Sequence, residues 1–234
     1  MTSSRRWPTA ERARPAAAVL ALLALAGVCW IVAIDRMGAM GTGPGAMAMG
    51  MSMHANGVRA LGSFGFFVPT WIVMMAAMML PAALGAISPL ARRGPLPTVL
   101  YTAGYLAVWS VVGIAAFFGL RAVAWQTAGS VAVAAALGCA AAYQLTPFKR
   151  VCLRRCRTHG RRDGGRWAIP EGARYGLACV GCCAPVMVAL LALGAMSIAW
   201  MVVASVAIVA ERLLPATVTP IAAGIFGIAI VVAV

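Results

Sequence analysis

Tyr175-Gly-Leu-Ala-Cys-Val-Gly-Cys-Cys183 runs without a break into Ala184-Pro-Val-Met187 and a longer apolar stretch. On a helix Cys179, Cys182 and Cys183 fall at i, i+3 and i+4, so their thiols share one face. Three soft sulfur donors at one level of an apolar helix suit a soft metal ion. Free cysteine is also a small residue that packs well in cores. The nonapeptide alone leaves both readings open, and the surrounding chain has to separate them.

The chain around it is strongly apolar. Of 234 residues, 63% are hydrophobic, and the mean hydropathy is +0.92, which points to a polytopic membrane protein rather than a soluble domain. Nineteen basic residues face five acidic ones, for a net charge of +14. The basic residues cluster beside hydrophobic segments, a pattern that follows the positive-inside rule and gives no reason to expect a nucleic-acid partner. The cysteine count is seven, and most lie in or near apolar segments. An odd set so placed argues against a disulfide scaffold.

Seven apolar segments predict an all-α transmembrane bundle of about seven spans. They cover 16–34, about 64–87, 96–120, 130–145, 173–194, 195–209 and 219–234. The first resembles a signal peptide but is long for one, and is read as an uncleaved span. Residues 1–15, Arg92-Arg93, the basic segment 149–174 and Glu211-Arg212 then fall on one side. That side is the cytoplasm, so the N-terminus is expected there, in a multi-pass protein of the bacterial inner membrane. The expected organisation is a basic N-terminus (1–15), a first span (16–34), a Met/Gly/His-rich external loop (35–63) and a helical membrane domain (64–234). Within the last lies a basic cytoplasmic loop, 146–174. Its arginines suit anionic lipid.

Three further groups of soft donors stand out. The external loop carries Met47, Met49, Met51 and Met53 in alternation, followed by His54. Thioether and imidazole both bind Cu(I), although methionine also fills gaps where a loop skims a membrane. The glycines around them argue against a stable helix. In the second span Met74 with Met78, and Met75 with Met79, form two i, i+4 pairs just before Pro81. This ridge is either core packing or a ligand box at a kinked helix. Cys152 and Cys156 are another i, i+4 pair, set among arginines that should lower their pKa values and make them reactive. At about 1.5 Å per residue, Cys182 and Cys183 lie roughly 14 Å inside the cytoplasmic boundary, at the depth of the Met74–Met79 ridge. The order is a Met/His collector outside, two sulfur clusters at mid-depth and a cysteine pair inside.

Trp71, Met74 and Ala77-Met-Met-Leu-Pro81 resemble a hallmark of the bacterial family described as "predicted metal-binding integral membrane protein", domain of unknown function 2182. Tyr143-Gln-Leu-Thr-Pro-Phe-Lys149 with Cys152 and Cys156, and the Tyr175–Cys183 stretch, are similar to it as well. So are Met187, Gly194, Met196, Trp200, Met201 and Glu211. The likeness covers about 64–215. It departs at Arg212, where the family usually has lysine, and at Ala184, where a bulkier residue is usual. The resemblance implies metal binding in a membrane and does not extend to the Met/His loop.

The leading expectation is a membrane protein that binds a soft metal ion, most plausibly copper as Cu(I), for transport, delivery or homeostasis. Its ligands would be Met74, Met75, Met78, Met79, Cys179, Cys182 and Cys183. Met47 to His54 would gather the ion, and Cys152 and Cys156 would receive it. One alternative is a non-enzymatic subunit or assembly factor with partner proteins in a larger membrane complex. Another is a thiol-disulfide oxidoreductase using Cys179-x-x-Cys182. No Walker motif is present, and acid–base side chains are nearly absent from the spans. Glu211 reads as a paired boundary charge.

Overall fold

The computed structural model describes residues 9–42, 63–122, 130–158, 167–192 and 198–213. Among them it contains only helices: α1 (Thr9–Thr42), α2 (Phe64–Ala91), α3 (Pro95–Ala122), α4 (Ser130–Gln144), α5 (Pro147–Thr158), α6 (Ala168–Ala192) and α7 (Ile198–Leu213). The expected all-α class is observed. Three helices among the described residues are long and apolar enough to cross a membrane, at Pro15–Arg36, Phe64–Ala91 and Pro95–Gly119. The helices α4 and α7 have only 15 and 16 residues, and α6 carries Glu171 and Arg174 in its first two turns. The segment expected as a last span, 219–234, lies outside the described residues.

Large apolar side chains stand exposed on the outer faces of several helices, among them Leu20, Ile31, Val99, Val111, Phe118, Leu177 and Val206. In water so much exposed apolar surface would be an aggregation site. Against lipid it is the favourable partner of the hydrocarbon.

The most enclosed of the three long helices is α2, packed between α1 and α3 and touching α7. Its helical run continues through Pro69, Pro81 and Pro89. It runs antiparallel to α3. The Trp71 indole donates to the Trp109 carbonyl at 2.9 Å, and about two turns nearer the start of α2 Phe64 packs edge-on against Phe117. Arg36 of α1 donates to the Thr70 hydroxyl at 3.2 Å. By contrast α3 and α6 ascend side by side. Gly104 meets the Ile169 backbone and Gly172 meets the Tyr101 carbonyl so closely that a Cβ at either would collide. Without a hydrophobic force between helices in lipid, small residues that let backbones touch are what hold such a crossing.

Two local expectations change. The helix α1 runs on to Thr42, so the first residues of the expected Met/Gly loop are helical. The expected basic loop 146–174 is largely helix. Pro147 opens α5 where its missing N–H is no loss, and the Thr146 hydroxyl accepts from the Lys149 N–H at 3.4 Å. One face of α5, with Lys149, Cys152, Leu153 and Cys156, is buried, while Arg150, Arg154 and Arg155 are exposed.

Candidate metal centre

Cys179, Cys182 and Cys183 lie on the inner face of α6 and are all buried. Cys182 and Cys183 bring their sulfurs to 3.5 Å of each other. The Cys182 thiol also reaches the Cys179 carbonyl at 3.2 Å, so the helix itself orients it. Cys179 lies about three turns inside the starts of α3 and α6, roughly 16 Å along each. There its sulfur meets the Tyr105 hydroxyl at 3.2 Å.

Against this face packs α5. Cys156 comes within 3.9 Å of the Cys182 sulfur. Cys152 sits over Gly181, where an added Cβ would lie 2.8 Å from its sulfur. Gly181 is thus what lets the two helices approach, and its carbonyl accepts from the Tyr143 hydroxyl at 2.5 Å. The local spacing that put each cysteine set on one face has produced five buried thiols facing one another across a helix pair. The expected thiolate activation of the α5 pair is not seen at Cys152. Burial raises its pKa, and nearby Arg155 offsets this only in part.

Polar residues with no ligand-like spacing in the sequence frame the site. From the end of α7, Arg212 places Nη2 2.8 Å from the Cys179 sulfur, 3.6 Å from Cys182 and 3.9 Å from Cys183. Its other terminal nitrogen donates to the Tyr175 hydroxyl, and the guanidinium lies 5.5 Å from that ring's centroid. Glu211 is a paired charge as expected, but its side-chain partner is Lys149 of α5 at 2.6 Å, both side chains being buried. Arg157 donates to the Glu211 carbonyl. These contacts bind α5 to the end of α7. A basic residue next to an acidic one at a span's end, and the departure from the lysine usual in the resembled family, are the sequence signals at Arg212, and neither points to the thiols.

The methionine ridge stands on α2. Met75, Met78 and Met79 are wholly buried and Met74 nearly so. Met78 borders an apolar cleft of about 400 Å³ between α1, α2 and α7, with Trp30, Pro81, Ser205 and Val209. Both α3 and α7 pack on α2 and also on α6. The ridge on α2 and the thiols on α5 and α6 therefore share one buried core, and α2 also touches α5. Met47, Met49, Met51, Met53 and His54 lie outside the described residues.

The donor set is soft throughout, which fits a soft ion and not a hard one. Among the described residues no three His, Cys, Asp or Glu side chains form a ready-made cage. The guanidinium of Arg212 sits where the three α6 thiols converge. Fold and centre together define a helical protein with membrane-spanning character and a buried thiol cluster. The chain belongs to the PpoB2 copper chaperone family, whose profile matches residues 68–234. The expected metal-binding membrane family is thus met at the level of a copper-related one. No curated protein and no solved structure matches the chain.

Proposed function

We propose that this protein holds Cu(I) as cargo inside the membrane and hands it on, with Cys182 and Cys183 as first holders and Cys156 and Cys152 as receivers. The observation that carries this reading is the approach of Cys156 to Cys182 at 3.9 Å across the α5–α6 interface. It links a buried thiol pair to the amphipathic helix at the edge of the bundle. Transfer between them is ligand exchange without redox change. A bond from Cys156 sulfur to copper forms as the bond from Cys182 or Cys183 breaks. The receiving thiol releases its proton, and the released thiolate takes one up. Delivery also accords with the family's description as a copper chaperone.

The remaining expectations complete the reading. Met74, Met75, Met78 and Met79 are a second holding place on the α2 seam, and Met47, Met49, Met51, Met53 with His54 a collector outside. The chain crosses the bacterial inner membrane about seven times with its N-terminus in the cytoplasm. The exposed arginines of α5 rest on anionic lipid, and a partner protein takes the ion there.

Elemental analysis of protein purified reduced and free of chelator tests the core of this. Near-stoichiometric copper, lost in Cys182→Ser/Cys183→Ser, is expected. Equal copper in both proteins sinks the assignment. The same 3.9 Å approach of Cys156 and Cys182 also serves the thiol-disulfide reading. That reading requires a Cys156–Cys182 disulfide to form in cells, which thiol trapping would detect.

A further inference from the structure

Arg212 is a half-buried cation, its Nε wholly shut off from water, without a carboxylate partner among the described residues. The adjacent carboxylate, Glu211, is committed to Lys149 at 2.6 Å. The recorded hydrogen-bond partners of Arg212 are the three α6 sulfurs and the Tyr175 hydroxyl, and its Nε has none. A guanidinium turned away from water onto thiols is costly unless negative charge stands beside it. It is also an odd neighbour for groups meant to bind a cation, because it repels the ion they hold. The two oddities resolve together. Two thiolates around one monovalent ion carry a net −1, which Arg212 cancels. Two thiolates around a divalent ion are already neutral, and Arg212 then leaves a net positive charge in a low-dielectric core.

We propose that Arg212 is the specificity-determining residue of the thiol cluster, a fixed counter-charge that admits a monovalent soft cation and rejects a divalent one. This rests on the copper-holding reading of the same cysteines and adds what selects the ion. Arg212 touches the ligands through Nη2 rather than the ion, so it acts by charge and position. Its five donors in a planar fork allow it to serve Tyr175 and the sulfurs at once.

The experiment is competition between Ag(I), a redox-inert stand-in for Cu(I), and Cd(II) on the reduced full chain in mild detergent, read by elemental analysis. The proteins are wild type, Arg212→Lys, which keeps the charge, and Arg212→Gln, which removes it. Wild type and Arg212→Lys should both prefer Ag(I). Arg212→Gln should lower the Ag(I)-to-Cd(II) preference by about 100-fold, the scale of one unit charge a few ångströms away at an intermediate dielectric. Wild type that binds Ag(I), with an unchanged preference in Arg212→Gln, overturns the role of Arg212 and leaves the copper reading standing. Should Arg212→Gln not fold, wild type and Arg212→Lys decide alone: a preference for Cd(II) in either overturns the proposal. Wild type that takes up neither ion overturns the copper reading and this inference with it.

Discussion

The cysteine cluster and the methionine ridge have the same soft chemistry and lie in the same buried core, yet they are built in opposite ways. The ridge is held by shape. Met75, Met78 and Met79 are wholly buried on a helix flanked by α1, α3 and α7, where thioethers pack as well as any aliphatic side chain. The cysteines are held by polar contacts. Each α6 thiol is reached by Arg212, Cys179 also by Tyr105, and α5 is fastened across them by the Lys149–Glu211 pair. Burying charge and hydroxyls at that depth is expensive. A core needing only small fillers has no use for it. The polar investment, more than the presence of sulfur, separates a candidate site from packing.

Breaking the fastening should therefore damage one region and spare the other. In Glu211→Ala the Lys149 ammonium is left buried and unpaired, a change that costs about 3–5 kcal/mol. Thermal unfolding in detergent should show it as the largest single loss. The double variant Glu211→Ala/Lys149→Met should recover much of it, because no orphaned charge remains. A melting point unmoved by Glu211→Ala would show that α5 is held by something else. Next in size is Gly172→Val at the α3–α6 crossing. Its side chain would collide with the Tyr101 carbonyl, and overpacking of this kind costs about 1–3 kcal/mol. Because the crossing seats Tyr105 against Cys179, copper retention should fall along with stability.

Much of this contrast was legible from spacing. Periodicity placed Cys179, Cys182 and Cys183 on one face and paired the methionines, and six of the seven expected apolar segments coincide with described helices. What spacing could not reveal was which face meets which. Gly181 and Gly172 are ordinary small residues until a neighbouring backbone or sulfur sits against them. Lys149 and Glu211 are 62 positions apart, and nothing local marks them as partners. In the basic segment the charge dominates the pattern and hides a helix. Only with the arginines set aside do Lys149, Cys152, Leu153 and Cys156 appear as one buried face. The expectation of an activated thiol failed at Cys152 for a related reason. It counted arginines along the chain, whereas the pKa of Cys152 is governed by burial against α6.

The methionine ridge sharpens the comparison from its other side. Met78→Leu/Met79→Leu conserves volume and apolarity, so each change should cost less than about 1.5 kcal/mol. If shape is all the ridge provides, copper content and melting point should both stay near wild type. Copper lost at an unchanged melting point would make the thioethers ligands and put the ridge and the thiols on one route.

The smallest effect lies at Cys152, and it tests whether the thiol cluster is poised for chemistry or kept quiet until an ion arrives. Burial raises its pKa above the ordinary thiol value, the first and larger influence, while Arg155 pulls it down less. A raised pKa keeps the neutral thiol to higher pH, so the thiolate that reacts with iodoacetamide is scarcer at pH 8 than in an unfolded peptide. Trypsin should release Cys152 within Val151-Cys-Leu-Arg154, apart from the other thiols, and mass spectrometry can follow its alkylation as pH is raised. The folded protein should lag the unfolded control at pH 8 and approach it only above the ordinary thiol pKa of about 8.5. Folded protein alkylating as fast as the control at pH 8 would show an exposed or activated thiol. That outcome would move Cys152 away from quiet reception of a metal ion and toward disulfide exchange, which needs an accessible thiolate.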